Sequence, residues 1–415
     1  MSFIKPFKGL RPTQQLAATV AAPPYDVVNR AEAKTMATGN PHSFLHINKP
    51  EIDLEEAIDP YDPRVYQRGA DNLQRFRNEG VLVQDSEECF YVYKQVMGSH
   101  QQIGLVAAAS VEEYEQDLIK KHEFTRPDKE DDRVRHISTL NAQVGPVFLT
   151  YRANLKIDEL IQAQMAGAAE YDFVSEDGIR HILWVINDAK VIDQLQSAFQ
   201  SIPSLYVADG HHRSAAAMRV KQQRQSENPS HTGNEAYNFF LTVIFPHNQM
   251  LILDYNRVVK DLNGLNEHEF IVHVEESFIL TPLNDNETPK PTCAHCFGMY
   301  LSGQWYQLDA KPNTWNESDP VQRLDVSILQ NNLLAPVLGI ENPRTDKRID
   351  FVGGIRGMQE LKKRVDSGES KVAFALFPTS IENLMAIADA GEVMPPKSTW
   401  FEPKLKSGLV VHCLD

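Results

Sequence analysis

Apolar positions along this chain switch between helical and strand spacing, and the switches lay out its elements. In "PRVYQRGADNLQRFRNEGVL" Val65, Leu73 and Phe76 recur at near-helical intervals before Gly80, which predicts a helix with a glycine stop. "CFYVYKQVM" and "IGLVAAASV" read as two strands joined through "GSHQQ", a hairpin. From Val111 the spacing predicts a helix through "VEEYEQDLIKKHEF" and a second through "DDRVRHISTLNAQ". Short apolar runs at "PVFLTY", "HILWVI", "SLYVA" and "FFLTVIF" predict strands, with helices at "KIDELIQAQMAGAA", "VIDQLQSAFQ" and "SAAAMRVKQQRQS" between them. Beyond about residue 265, "FGMYLSGQWYQL" predicts a hairpin turning at Ser302 and Gly303, "DVSILQNNLLAPVLG" and "GMQELKKRVDSG" helices, and "VAFALFP" a strand. The closing "GEVMPPKSTWFEPKLKSGLVVHCLD" is too rich in proline to be helical. The alternation places the chain in the mixed α/β (α+β) class. With no internal repeat, it divides into a core with an N-terminal elaboration over 1–265 and a C-terminal α/β lobe over 266–415 that packs back on the core.

Composition narrows the function classes. At 415 residues with 42% apolar and 23% charged side chains, the chain has ample material for a core, so a disordered reading fails. A formal charge of −15 repels phosphate backbones and anionic lipid, and no local basic patch offsets it, which argues against nucleic acid and membrane partners. The longest apolar run, 239–245, is far short of the ~20 residues of a bilayer span, and the first residues lack the apolar stretch of a secretory signal. The expected compartment is the cytoplasm, and four cysteines in so long a chain agree with reducing surroundings. Cys293 and Cys296 form a C-x-x-C around His295, but no second ligand pair completes a structural zinc site, so they read as half-buried residues entering a strand.

One stretch concentrates chemistry. In "LYVADGHHRSAAAM" an interior strand gives way to a strongly helix-forming run, and Asp209, Gly210, His211, His212 and Arg213 occupy the junction. The first turn of a helix presents amides without intrahelical acceptors and a partial positive charge, so anions are favoured there. Gly210 permits close approach of a ligand, Arg213 can clamp a phosphate in bidentate fashion, the histidines can donate to its oxygens, and Asp209 can hold a cation or a hydroxyl. A helix cap, a surface ion pair and a satisfied core histidine are the ordinary alternatives for single residues of this kind. Four such residues together point to a site. Adjacent histidines on a helix point apart, which argues against His211 and His212 sharing one metal ion.

Two further clusters carry candidates. "IKKHEFTRPDKEDDRVRH" reads as a solvated helix end stapled by charge pairs, yet Glu123 beside His122 is a candidate general base and Thr125 a candidate hydroxyl contact. In "MPPKSTWFEPKLKSG", Lys397, Ser398, Thr399 and Lys404 between prolines are candidates to hold a substrate carboxylate or phosphate. The familiar alternatives are absent: there is no G-x-x-x-x-G-K-S/T, G-x-G-x-x-G after a strand, G-x-S-x-G or H-E-x-x-H, and "VGGIRG" reads as a turn.

"PPYDVV", "HEFTRPDKEDDR", "YVADGHHRSAAA" and "GEVMPPKSTWFEPKLKSGL", in this order and over nearly the whole chain, resemble the bacterial family of domain of unknown function 1015. The "DGHHR" segment is in turn similar to that of the free serine kinases, enzymes of the ParB/sulfiredoxin-like fold that phosphorylate L-serine with ADP or ATP. The resemblance implies a ParB/sulfiredoxin-like core and a corner built from Asp209, Gly210, His211, His212 and Arg213 that binds nucleotide phosphate, with Mg²⁺ at Asp209. It also implies Glu123 as catalytic base, from the match of His122-Glu123 to an upstream His-Glu pair. The expected activity is phosphoryl transfer from ATP or ADP to free L-serine or a related amino or hydroxy acid, by a chain that can pair with a second copy of itself. The alternative is a ParB-like regulatory protein that switches on CTP or ATP without turnover. A sulfiredoxin-type reductase does not fit, since no cysteine lies in the turn.

Overall fold

A computed structural model describes residues 3–284 and 290–415, which divide into two units: Met1–Met250 with Pro403–Asp415, and Leu251–Glu402. The division differs from an expected boundary at 265. Tyr255–Val259 pairs with Ile349–Gly353 and Val372–Leu376, so it belongs to the second sheet, and the last thirteen residues belong to the first unit.

The first unit is built on a nine-stranded mixed sheet. Its main path runs Ile119–Lys120, Leu205–Asp209, Val147–Tyr151, Phe239–Pro246, His100–Ser110, Phe90–Met97, Arg180–Ile186 and Tyr171–Val174, with Ile4–Lys5 paired to His100–Ser110. Two neighbouring pairs are parallel, Ile119–Lys120 with Leu205–Asp209 and Val147–Tyr151 with Phe239–Pro246. Strand alternation sends Leu205 and Val207 to one face, where they pack with Leu149, Tyr151, Ile157, Leu195 and Phe199. Burying each such side chain stabilises by about 1.5–3 kcal/mol. The helices Pro127–Leu140 and His211–Glu227 meet through Ile137, Ala216 and Val220, with Leu414 of the C-terminal segment in the same cluster.

That segment is held by backbone pairing. Leu10 and Val411 exchange hydrogen bonds at 2.9 and 2.8 Å, Ser407 pairs with Ala22, and His412–Cys413 pairs with Ala142–Gln143. A tail tied down at three places can present a side chain as rigidly as a core strand does.

The predicted helix through "VEEYEQDLIKKHEF" is the main local departure. Only Val111–Glu115 is helical; Asp117 takes a left-handed φ of +59°, and the chain continues as the edge strand Ile119–Lys120. Edge pairing in parallel with Leu205 and Tyr206 outweighs helical spacing here. Because the two strands run the same way, residues 121–123 leave the sheet at the end where Asp209 does. The hairpin at 90–110, the strands at 147, 180, 205 and 239, and the helices at 155, 189 and 211 follow the expected pattern.

The second unit carries a six-stranded antiparallel sheet in the order Phe278–Pro282, Gln304–Ala310, Cys296–Leu301, Val372–Leu376, Tyr255–Val259, Ile349–Gly353. Cys296 opens its strand as expected, while Cys293 is exposed. "VGGIRG" is a turn between the strand Ile349–Gly353 and the helix Gly357–Asp366. Among the described residues no helix is long and apolar enough to cross a membrane.

Candidate functional site

Gly210 makes the Asp209–Arg213 turn possible. Its φ of +99° lies in the left-handed region, and a Cβ there would come within 3.2 Å of Arg213 Nε and 3.4 Å of Val147 Cα. The helix His211–Glu227 starts directly after it, and the amides of Arg213 and Ser214 both donate to the Gly210 carbonyl, at 2.9 and 3.0 Å.

Three segments remote in sequence meet at this turn. The C-terminal segment brings Lys404, whose Nζ donates to Asp209 Oδ2 at 2.9 Å. Burial pushes the Asp209 carboxyl up, but Lys404 and Arg213 more than offset it and hold it below the usual carboxylate range. The segment after the edge strand brings His122 and Glu123. The ring of His122 meets that of His211 edge-on, with centroids 4.5 Å apart, and His211 Nδ1 lies 3.9 Å from Glu123 Oε2. Burial holds both rings neutral, pushing His122 down to about 3 and His211 to about 4. His212 turns away from His211, and its Nε2 accepts from the Arg126 amide at 3.1 Å.

The N-terminal "PPYDVV" supplies the third group, which sequence reading quoted but assigned no role. Arg213 donates to the Pro146 carbonyl, and its other terminal nitrogen lies 3.7 Å from Asp26 and 3.9 Å from Asp209. Tyr25 lies against Arg133, whose guanidinium carbon is 3.8 Å from the ring centroid, and Arg133 pairs with Asp132 at 2.8 Å. The charge run 119–136 is therefore partly interior: Asp132, Arg133 and His136 are buried, not solvated. A void of about 30 Å³, roughly one water in size, lies among Tyr25, Arg133, His136, Gly145 and Arg213.

The remaining candidates are engaged elsewhere. Thr125 donates its hydroxyl to Glu130. Lys397, Ser398 and Thr399 belong to the second unit, where Ser398 donates to the Pro395 carbonyl at 2.7 Å and Lys397 sits over the Tyr255 ring. Of the four C-terminal candidates, Lys404 is the one brought to the turn.

Asp209 does not fit as the resident holder of Mg²⁺. Its carboxylate already faces Lys404 and Arg213, and a hard divalent ion needs oxygen donors free of competing cations. What the turn offers a ligand is positive charge, from Lys404, Arg213 and the start of a helix, next to the partly exposed carboxylates of Glu123, Asp26 and Asp209.

Comparisons with known proteins add the following. A free serine kinase in complex with AMP is 13% identical with a TM-score of 0.36, over 74% of this chain and 92% of that one. SbnI with a C-terminal truncation, from Staphylococcus aureus, is 11% identical with a TM-score of 0.36, over 72% and 84%. A conserved hypothetical protein from Pyrococcus furiosus is 13% identical with a TM-score of 0.34, over 74% and 95%. Likenesses at this level leave the activity to be argued from the site itself. No curated protein matches. The profile of one family, described as "Protein of unknown function (DUF1015)", matches residues 4–327, a span that includes "PPYDVV", His122-Glu123 and the Asp209–Arg213 turn. The chain belongs to that family.

Proposed function

We propose that this protein is a small-molecule kinase that transfers a phosphoryl group from ATP or ADP to free L-serine, giving O-phosphoserine, on a ParB/sulfiredoxin-like core. The observation that supports this most is the convergence of Lys404 and Glu123, from two remote stretches of chain, on the start of the helix that carries Arg213. In this reading nucleotide phosphates lie against the first turn of the helix, where Arg213 and His212 supply donors. The serine carboxylate is held by Lys404, released from Asp209 as the substrate enters. Glu123, half-exposed, accepts the proton of the serine hydroxyl as its oxygen bonds to phosphorus and the bond to the leaving nucleotide oxygen breaks. Arg213 spreads the charge of the transferred group, since catalysis of this reaction is mainly positioning and electrostatics.

The test is to incubate the purified chain with L-serine, Mg²⁺ and either ADP or ATP and to measure O-phosphoserine. Its formation, together with weaker nucleotide binding by Arg213→Gln, supports the proposal. No O-phosphoserine, with nucleotide binding unchanged by Arg213→Gln, defeats it. A second reading, a regulatory protein that binds CTP or ATP without transfer, draws on the engagement of Asp209 by a protein lysine. Nucleotide binding coupled to dimerisation, with neither hydrolysis nor transfer, would favour it.

A further inference from the structure

His211 and His212 point apart, as neighbours on a helix must, but His211 finds a different histidine. His122, Glu123 and His211 each direct one ligand atom to a common place, all within 4.8 Å of one another. Both imidazoles are buried, 2% and 5% exposed, and each keeps a ring nitrogen without a hydrogen-bond partner: Nδ1 of His122 and Nε2 of His211. A buried polar nitrogen left unpaired costs about 1–3 kcal/mol, so two on rings whose centroids are 4.5 Å apart call for an explanation. His122 also bonds to the backbone of Val207, and its Nδ1 is left without a partner. Metal-binding histidines are oriented by the same arrangement, with one nitrogen tied to a carbonyl and the other turned to the ion.

We infer that His122, Glu123 and His211 form a binding site for one divalent ion of the zinc class. Two imidazoles and one carboxylate are a donor set that zinc takes with a fourth position left to water or substrate. A tetrahedral ion holds its ligands roughly 3.4 Å apart at bonds of ~2.0–2.1 Å, so the widest separation, up to 4.8 Å, must close by about 1.4 Å. Glu123, the exposed member of the three, has room to move. Hard ions such as Mg²⁺ prefer all-oxygen surroundings and are disfavoured here. The inference goes beyond the kinase reading and does not depend on it; with the ion bound Glu123 is a ligand, so transfer with Glu123 as base requires the ion-free site.

The test uses the full chain, stripped with a chelator, dialysed, and titrated with Zn²⁺ alone in the absence of nucleotide and serine. One equivalent is expected to bind, raising the melting temperature. Glu123→Gln and His211→Asn should each weaken binding on the order of 10- to 100-fold, while Asp209→Asn should leave it unchanged. Because His211→Asn sits in a packed interior, circular dichroism of each variant separates lost binding from lost fold, and the half-exposed Glu123→Gln gives the decisive comparison. The C-x-x-C is the competing site. Zinc binding that survives Glu123→Gln but disappears in Cys293→Ser/Cys296→Ser overturns the inference, as does no binding at all. Since the readout is binding of the ion alone, absence of O-phosphoserine would not count against it, nor would its presence count in favour.

Discussion

Two strand-to-helix turns in this protein are built alike and equipped differently. Leu205–Asp209 passes through Gly210, with φ of +99°, into the helix His211–Glu227; Ile349–Gly353 passes through Gly354–Arg356 and Gly357, with φ of +70°, into Gly357–Asp366. Each places the start of a helix at the end of a strand, the local geometry that favours anions. At the first, a lysine 195 residues away, a buried histidine and Glu123 crowd the junction. At the second, Ile355 and Arg356 stand exposed at the apex and Gly357 has open space where a side chain would go. The difference teaches that a glycine turn into a helix supplies only a preference for negative charge, and that a site also needs side chains delivered from elsewhere in the chain.

The largest expected effect probes that delivery. Glu123→Gln should lower O-phosphoserine formation by about 10²–10⁴-fold, the usual worth of a general base, without changing stability. At the other turn, Arg356→Ala should stay within about 2-fold, as surface changes do. Equal losses would erase the distinction between the turns.

Acid should separate the two units next. In the first, burial pushes His136 and His181 down to about 3 and His412 to about 4, against 6.5 for a free histidine. The unfolded chain therefore binds more protons below pH 6.5, and stability falls as pH drops from 6.5 toward 4, at about 1.4 kcal/mol per pH unit for each histidine. In the second unit burial raises Asp325 to about 7, and its Oδ2 has no hydrogen-bond partner. There the folded state holds the extra proton, so stability rises as pH falls from 7 toward 4, with a similar slope. Hydrogen exchange at pH 7 and pH 5 should show protection moving in opposite directions in the two units, and parallel movement would contradict these assignments.

Backbone changes come last. Gly210→Ala combines a left-handed φ with contacts at 3.2 Å to Arg213 Nε and 3.3 Å to its Cζ, and should cost about 1–3 kcal/mol in urea unfolding together with nucleotide affinity. Gly357→Ala meets nothing within 4 Å, but its φ of +70° with ψ of 176° is a region that side-chain-bearing residues avoid, so it should cost about 1–3 kcal/mol in stability alone, with no effect on ligands.

Much of this was legible in the chain itself. Alternating apolar runs mark the strands of the first sheet, and the glycine between "LYVAD" and "HHRSAAAM" marks the turn, because both signals are local. The edge strand Ile119–Lys120 was not legible. Two residues carry no period, and the helical spacing of the sequence runs on across them although the helix itself ends before Asp117. The roles of Tyr25 and Asp26 were hidden for a related reason: "PPYDVV" announces a rigid turn but not that Arg133 and Arg213 lie next to it. Among the prolines near the C-terminus, Lys397 and Lys404 look alike in sequence, yet they fall in different units.

The amino-acid order by itself determined where strands end and helices begin, and that five polar residues would stand at one such junction, since backbone preference and spacing act over a few residues. Only the tertiary structure decided which distant groups meet them. Lys404 reaches Asp209 because the tail pairs with Leu10, Ala22 and Ala142–Gln143, and Glu123 reaches His211 because a short edge strand runs parallel to Leu205. Such meetings follow from sheet register and chain return, which depend on pairing between remote segments and leave no mark in the spacing of neighbouring residues.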